Sequence, residues 1–208
     1  MILAAFDLDG TLTHQDSMFA FLRYVKGSMK VWMGLVRLGP MLWRFKQGKI
    51  KRQLAKERLL AYFLGGMEEK ALQEKGADFC KQILPKLIRP AARKRLNWHR
   101  RQGHQIVIVT ASLDIWTRPW AEAQGFSWIG SEAAYEEGIF QGKLRGKNCH
   151  GPEKVRHLKA AFAPETVEKT YAYGDTAGDR PMLEWANEGY FRPFHPQGDF
   201  YQAESNPS

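Results

Sequence analysis

Apolar positions follow two different rhythms along this chain. Ile2–Phe6 is a short unbroken apolar run that stops at Asp7, Asp9 and Gly10, the pattern of a buried strand opening into a turn. Residues 106–110 (Ile-Val-Ile-Val-Thr) are mostly β-branched and end in a hydroxyl, with helical patterns on both sides, as parallel crossover units require. Residues 170–174 end at Asp175, and residues 189–193 read as a further strand. Between the first two runs the period lengthens. Residues 18–25, 50–64 and 68–84 carry apolar side chains at threes and fours, interrupted by Gly39-Pro40, Gly65-Gly66 and Pro85. Residues 132–144, with Glu137-Gly138 at their centre, read as a hairpin, and the polar residues 202–208 as a frayed terminus.

These rhythms predict an α/β fold with a Rossmann-like parallel-sheet core. Residues 1–13 and 91–208 would build the core, and residues 14–90 a helical cap inserted into it. Ligands of open parallel sheets lie beyond the carboxyl ends of the strands, so Asp7, Thr110 and Asp175 are predicted to converge on one crevice. Hinges at residues 12–16 and after Pro85 would let the cap open and close.

Composition narrows the class. With 44% apolar and 25% charged residues over 208 positions, collagen-like and low-complexity chains are excluded. No stretch approaches the roughly 18 apolar residues of a membrane span. The first residues lack a basic, apolar leader pattern, and Cys80 and Cys149 form neither a CxxC motif nor a disulfide framework. A cytoplasmic location is the expectation.

Charge divides the chain as the rhythms do. Residues 14–95 hold 19 Lys and Arg against 6 Asp and Glu, whereas the remainder holds 12 against 16. Cations recur every seven residues at Arg23, Lys30, Arg37, Arg44, Lys51 and Arg58, interleaved with Met29, Trp32, Met33, Leu35, Met41, Leu42, Trp43 and Phe45. Two readings compete. Bulky apolar residues at helical spacing usually form a small cap's own core, which is the default expectation; with this cationic excess they also suit an interfacial segment lying on an anionic membrane. Nucleic acid would suit the same composition, but no nucleic-acid fold signature is present, so that partner is disfavoured. The oligomeric state is left open.

Four separated signals carry chemistry. Asp7-Leu8-Asp9-Gly10-Thr11 places two carboxylates on alternate residues at a strand end, where one can attack or bind metal and the other can handle a proton. A calcium loop of the EF-hand kind would need a glutamate where Met18 stands, so that alternative fails. Thr110, with Ser112 two residues on, can donate to a phosphate oxygen, although strands ending in threonine are common. Lys154 lies at a helix start, where a lone lysine is usually a solvated surface charge. Gly174-Asp175-Thr176-Ala177-Gly178-Asp179 follows an apolar strand; Asp175 can complete an oxygen-rich metal site, and Asp179 either orients a lysine or merely caps the next helix.

In this order and at these spacings, the four signals resemble the motifs of the haloacid dehalogenase superfamily of phosphohydrolases, over nearly the whole chain. The helical insert resembles that superfamily's C1 type of cap, and the short motif spacing resembles the subgroup containing phosphoserine phosphatase. The resemblance implies a magnesium-dependent phosphomonoesterase working through an aspartyl-phosphate. Asp7 would be the nucleophile and Asp9 the general acid and base. Asp7, Asp175 and the backbone carbonyl of Asp9 would hold Mg2+. Lys154 and Thr110 would hold the phosphoryl group with the Gly10 loop, Ser112 would touch substrate, and Asp179 would orient Lys154. A non-catalytic module binding nucleic acid or membrane is the alternative of another class; intact chemical groups at all four motifs argue against it.

The substrate is less determined. Asp16 stands nine residues after Asp7, where phosphoserine phosphatases carry a glutamate that reads the substrate amine, and Gly178 replaces their usual asparagine. Both departures count against phosphoserine. The hydrophobic, basic insert is similar to that of small bacterial enzymes of the subgroup that act on phosphatidylglycerophosphate, so a lipid head group and a small soluble metabolite are both candidates. His14, His99, His104, His150, His157 and His195 show no metal spacing and are expected at the surface. Trp98, Trp116, Trp120, Trp128 and Trp185 are assigned to packing.

Overall fold

In β1 (Ile2–Phe6) successive side chains alternate between two apolar layers: Ala4 and Phe6 join the core on one face of the sheet, Leu3 and Ala5 that on the other. A strand buried on both faces has no room for polar residues, which is why this run is unbroken. The computed structural model describes residues 1–200, so the tail predicted to fray at residues 202–208 lies outside the described residues. β1 pairs in parallel with β2 (Gln105–Leu113) on one side and with β5 (Lys169–Gly174) on the other, Ala4 standing opposite both Ile106 and Tyr171. Next to β2 lies β3 (Ser127–Glu136), which turns at Glu137-Gly138 into antiparallel β4 (Ile139–Arg145), the predicted hairpin. With β6 (Glu188–Phe191) beyond β5, the order is β4-β3-β2-β1-β5-β6. The chain passes from β1 to β2 on one side and, after β4, returns to β5 on the other, and this reversal of strand order beside β1 opens a crevice at the carboxyl end of the sheet.

The segment predicted as an insert carries six α-helices: α1 (Ser17–Lys26), α2 (Ser28–Arg37), α3 (Gly39–Lys46), α4 (Arg52–Leu64), α5 (Glu69–Gln82) and the short α6 (Leu84–Leu87). The strands are further linked by α7 (Pro90–Arg101), α8 (Asp114–Ala123), α9 (Pro152–Ala161) and α10 (Arg180–Trp185). Gly39-Pro40 acts as the sequence predicts. It ends one helix and begins another, with Pro40 in the first turn of α3, where its missing N–H is not needed. The insert shares one apolar cluster with the sheet; Phe21 of α1 stacks on Trp116 of α8 at 4.6 Å and meets Phe79 of α5 edge-on at 5.3 Å. Its two connections to the sheet are tied together: Thr13 bridges Ile88, the His14 amide donates to the Leu87 carbonyl at 2.9 Å, and the Arg89 amide to that of Leu12 at 2.8 Å.

Three expectations need correction. First, β2 runs three residues past Thr110, with a register shift between Thr110 and Leu113, and the two residues in this irregular stretch, Ala111 and Ser112, line a cavity. Second, the bulky residues of α2 and α3 are not all core. Val31 and Gly34 are buried, and Leu35 and Leu38 pack against the core. Met29, Trp32, Met33 and Val36 point outward at 69, 64, 51 and 60% exposure, as does Trp43 of α3 at 61%. A helix buries only the face it presents to its neighbour, and Gly34 sets α2 so close to α4 that a Cβ there would lie 2.4 Å from the Phe63 ring. Third, His99 is fully buried rather than on the surface, its Nε2 2.8 Å from the Tyr173 hydroxyl and its Nδ1 2.8 Å from His104 Nδ1.

Candidate active site

The carboxyl end of β1 delivers Asp7 into the crevice, anchored by its amide donating to the Tyr173 carbonyl of β5 at 2.9 Å. The chain then turns at Gly10, whose φ of +83° puts it in the left-handed region. A Cβ at Gly10 would lie 2.3 Å from Asp175 Oδ2, so only glycine lets this turn close onto the end of β5. Across the turn Thr11 Oγ1 lies 3.0 Å from Asp7 Oδ2 and 3.1 Å from Asp175 Oδ1, holding the two strand ends in register.

Lys154 reaches the same point from the first turn of α9, with 1% of its surface exposed. Its ammonium donates to Asp7 Oδ1 at 2.5 Å, to Asp179 Oδ1 at 2.7 Å and to the Val109 carbonyl of β2 at 2.8 Å. A buried lysine with every proton placed is not a solvated surface charge. Burial opposes that charge, yet the Asp7 and Asp179 carboxylates hold the ammonium above the ordinary lysine range. Asp179 occupies the N-cap position of α10 but makes no side-chain cap bond there. Instead its Oδ2 accepts from the Asp175 and Thr176 amides and, at 2.8 Å, from the Thr176 hydroxyl. Burial again opposes ionisation, and Lys154 with the Thr176 donors holds Asp179 below the usual carboxylate range.

Asp7, Asp175 and Asp179 each offer a carboxylate oxygen, all within 4.8 Å of one another. One lysine does not balance them: burial pushes Asp7 up to about 8 against the pull of Lys154, and burial followed by the Asp179 charge raises Asp175. A hard, all-oxygen donor set with surplus negative charge fits a divalent cation such as Mg2+ or Ca2+.

Asp9 is held separately. The Ser17 amide, at the start of α1, donates to its Oδ1 at 2.6 Å, and the Ser112 hydroxyl, at the end of β2, to its Oδ2 at 2.5 Å. Trp116 Nε1 in turn donates to the Ser17 hydroxyl at 2.9 Å. Thr110 is fully buried, its hydroxyl accepting from the Ser112 amide at 3.0 Å, so it is Ala111 and Ser112 that line the cavity from this strand.

That cavity, of about 320 Å³, has a polar floor and an apolar wall. Asp7, Asp9, Ser112, Lys154 and Asp179 form the floor; Met18 and Phe19 of α1, Leu42 and Phe45 of α3, and Leu59 of α4 form the wall. Asp16 lines it too and caps α1 through the Phe19 amide at 3.1 Å; its carboxyl is pushed up to about 6, by loss of hydration first and by the Asp9 charge second.

Among the lining residues that sequence reasoning missed are Arg52, Lys56, Asn148 and His150. Lys56 rises from α4 to donate to the Ala111 carbonyl and, at 3.0 Å, to Asn148 Oδ1. Loss of hydration lowers its pKa to about 8, against the charge of Asp9. Nothing in its local sequence separates Lys56 from the other cations of the insert. His150 explains Gly178: a Cβ at position 178 would lie 1.9 Å from the His150 ring, which fills the space that a larger residue there would need.

A parallel-sheet core carrying two carboxylates at one strand end, one of which shares a buried lysine with a more distant aspartate, defines a hydrolase site built for an anionic group. Residues 4–184 match the haloacid dehalogenase-like hydrolase family, and the chain belongs to it. Protein CicA of Caulobacter vibrioides strain NA1000 / CB15N is 37% identical over 200 residues, spanning 93% of this chain and 86% of CicA. Among solved structures, a protein of unknown function from Bordetella pertussis Tohama I superposes with a TM-score of 0.76 at 23% identity, over 91% of this chain and 88% of that one. A phosphoserine phosphatase carrying a phospho-aspartyl intermediate analogue superposes with a TM-score of 0.63 at 17% identity, over 91% and 84% of the two chains. These two likenesses are of fold.

Proposed function

We propose that this hydrolase is a phosphomonoester phosphatase acting through an aspartyl-phosphate on Asp7. The observation that carries the reading is the Lys154 ammonium, sealed from water and shared between Asp7 and Asp179 in a cavity open to solvent on one side. A phosphoryl group entering there meets a nucleophile and a fixed cation together.

In the first half-reaction an Asp7 carboxylate oxygen attacks phosphorus while the bond to the substrate oxygen breaks, and Asp9 gives that leaving oxygen its proton. In the second, Asp9 takes a proton from water, whose oxygen attacks the same phosphorus; phosphate leaves and the Asp7 carboxylate is restored. Ser17 and Ser112 hold Asp9 in place for both transfers. Lys154 keeps part of the phosphoryl charge neutralised, and the amides around Gly10 orient its oxygens. Asp7 and Asp175, with the Asp9 carbonyl, would hold Mg2+, which would supply the remaining charge neutralisation. Residues 14–90 act as the cap that selects the substrate. The space next to Gly178 is taken by His150, and Asp16 is spent on capping α1, so the amine-reading pattern of a phosphoserine phosphatase is not reproduced.

Phosphate release from p-nitrophenyl phosphate, phosphoserine, sugar phosphates, nucleotides and phosphatidylglycerophosphate, with Mg2+ and with EDTA, tests this. Mg2+-dependent release abolished by Asp7→Asn is expected. Release that survives both EDTA and Asp7→Asn would overturn the reading.

A further inference from the structure

The outward face of α2 and α3 runs against ordinary surface chemistry. Met29, Trp32, Met33 and Val36 stand at positions i, i+3, i+4 and i+7 of one helix, so they form a single stripe, and that stripe faces solvent. With Trp43 they make up five of the ten large apolar side chains exposed among the described residues, all within fifteen positions. Scattered exposed apolar residues need no explanation; a contiguous stripe on a short helix does.

Its electrostatic setting is equally one-sided. Residues 17–56 contain ten Lys and Arg and no Asp or Glu. Lys30, Arg37, Arg44, Lys46 and Lys49 of this stretch are exposed around the stripe, and Lys49 Nζ sits 5.9 Å above the Trp43 ring. A protein partner would usually bring mixed charge, and a second copy of this chain would bring the same cations and repel. An anionic bilayer complements both features, taking tryptophan and methionine into the head-group boundary and pairing the surrounding cations with lipid phosphates.

The same helix connects this face to the catalytic cavity. Leu42 and Phe45 of α3 line the apolar wall while Trp43 between them points outward. We propose that the α2–α3 face docks the protein on an anionic phospholipid membrane, and that the phosphate reaching Asp7 is carried by a lipid whose chains follow the Leu42–Phe45 wall. The second half rests on the phosphatase reading; the docking does not.

Sedimentation with phosphatidylcholine vesicles, with and without phosphatidylglycerol, reads the docking without turnover. The protein should pellet with the phosphatidylglycerol vesicles and remain in solution with the others. Trp32→Ser/Trp43→Ser and, independently, Arg37→Gln/Arg44→Gln should each weaken binding about tenfold or more. Both should hydrolyse soluble p-nitrophenyl phosphate like the parent chain, which shows them folded, while losing hydrolysis of phosphatidic acid in vesicles. Equal pelleting with both vesicle types, or unchanged vesicle binding by both variants, would overturn the docking. So would a dimer in analytical ultracentrifugation that the tryptophan pair abolishes, or an oligonucleotide that binds this face in preference to vesicles. Vesicle binding by a chain that releases no phosphate from any substrate would sustain the docking and remove the phosphatase reading.

Discussion

Lys154 Nζ and Asp7 Oδ1 stand 2.5 Å apart although 147 positions separate them in sequence, and neither has appreciable contact with water. The pair is not symmetric. Lys154 has a second carboxylate in Asp179 at 2.7 Å, whereas Asp7 has no other cationic side chain in contact among the described residues. Asp7→Asn therefore leaves the ammonium paired and should keep the fold near parental stability while abolishing turnover. Lys154→Met strands two buried carboxylates and should cost about 3–5 kcal/mol of stability as well as activity. Urea denaturation of both variants, beside phosphate release, separates the two effects.

The Ser112 hydroxyl donates to Asp9 Oδ2 at 2.5 Å, and in the proposed reaction this holds the carboxyl that gives the leaving oxygen its proton. Ser112→Ala should lower kcat roughly tenfold with KM nearly unchanged, since it disturbs a proton transfer rather than a binding contact. A change confined to KM would contradict that role.

Lys56 titrates within reach of experiment. Its pKa, lowered to about 8 by loss of hydration, makes it an ammonium at neutral pH that loses its charge as pH rises. An anionic substrate held in the cavity should then bind more weakly above pH 8, seen as a rising KM for p-nitrophenyl phosphate. In Lys56→Gln, KM should be raised at neutral pH by roughly tenfold and stay flat through the same window.

His99 links stability to acid. Burial first, with the charges of Arg95 and His104, lowers its pKa from 6.5 to about 3. Between those values the unfolded chain binds a proton that the folded chain refuses, so stability falls as pH drops from 6.5 toward 3 and is fully present above 6.5. The urea midpoint should decline over that range, and less steeply in His99→Gln.

A good deal was legible along the chain. Ile2–Phe6 and residues 106–109 of β2 announce themselves because burial on both faces demands an unbroken apolar run, and polar residues that follow such runs then lie at the carboxyl end of the sheet. Asp7, Asp9 and Asp175 were singled out for that reason, whereas Lys154 in α9 and Asp179 at the start of α10 were singled out only by the order and spacing of the motifs. Tertiary structure alone decided what depends on which face meets which neighbour. Helical period shows that Met29, Trp32, Met33 and Val36 share a face but not that this face is the one left in water; the close approach of Gly34 to Phe63 settles it. Lys56 looked like any cation of a basic segment until α4 set it against the Ala111 carbonyl, and His99 looked like a surface histidine until α7 laid it on Tyr173. Local pattern determines elements and what stands at their ends, because those follow from backbone hydrogen bonding and the alternation of burial. Contacts between side chains distant in sequence arise only once the elements have packed.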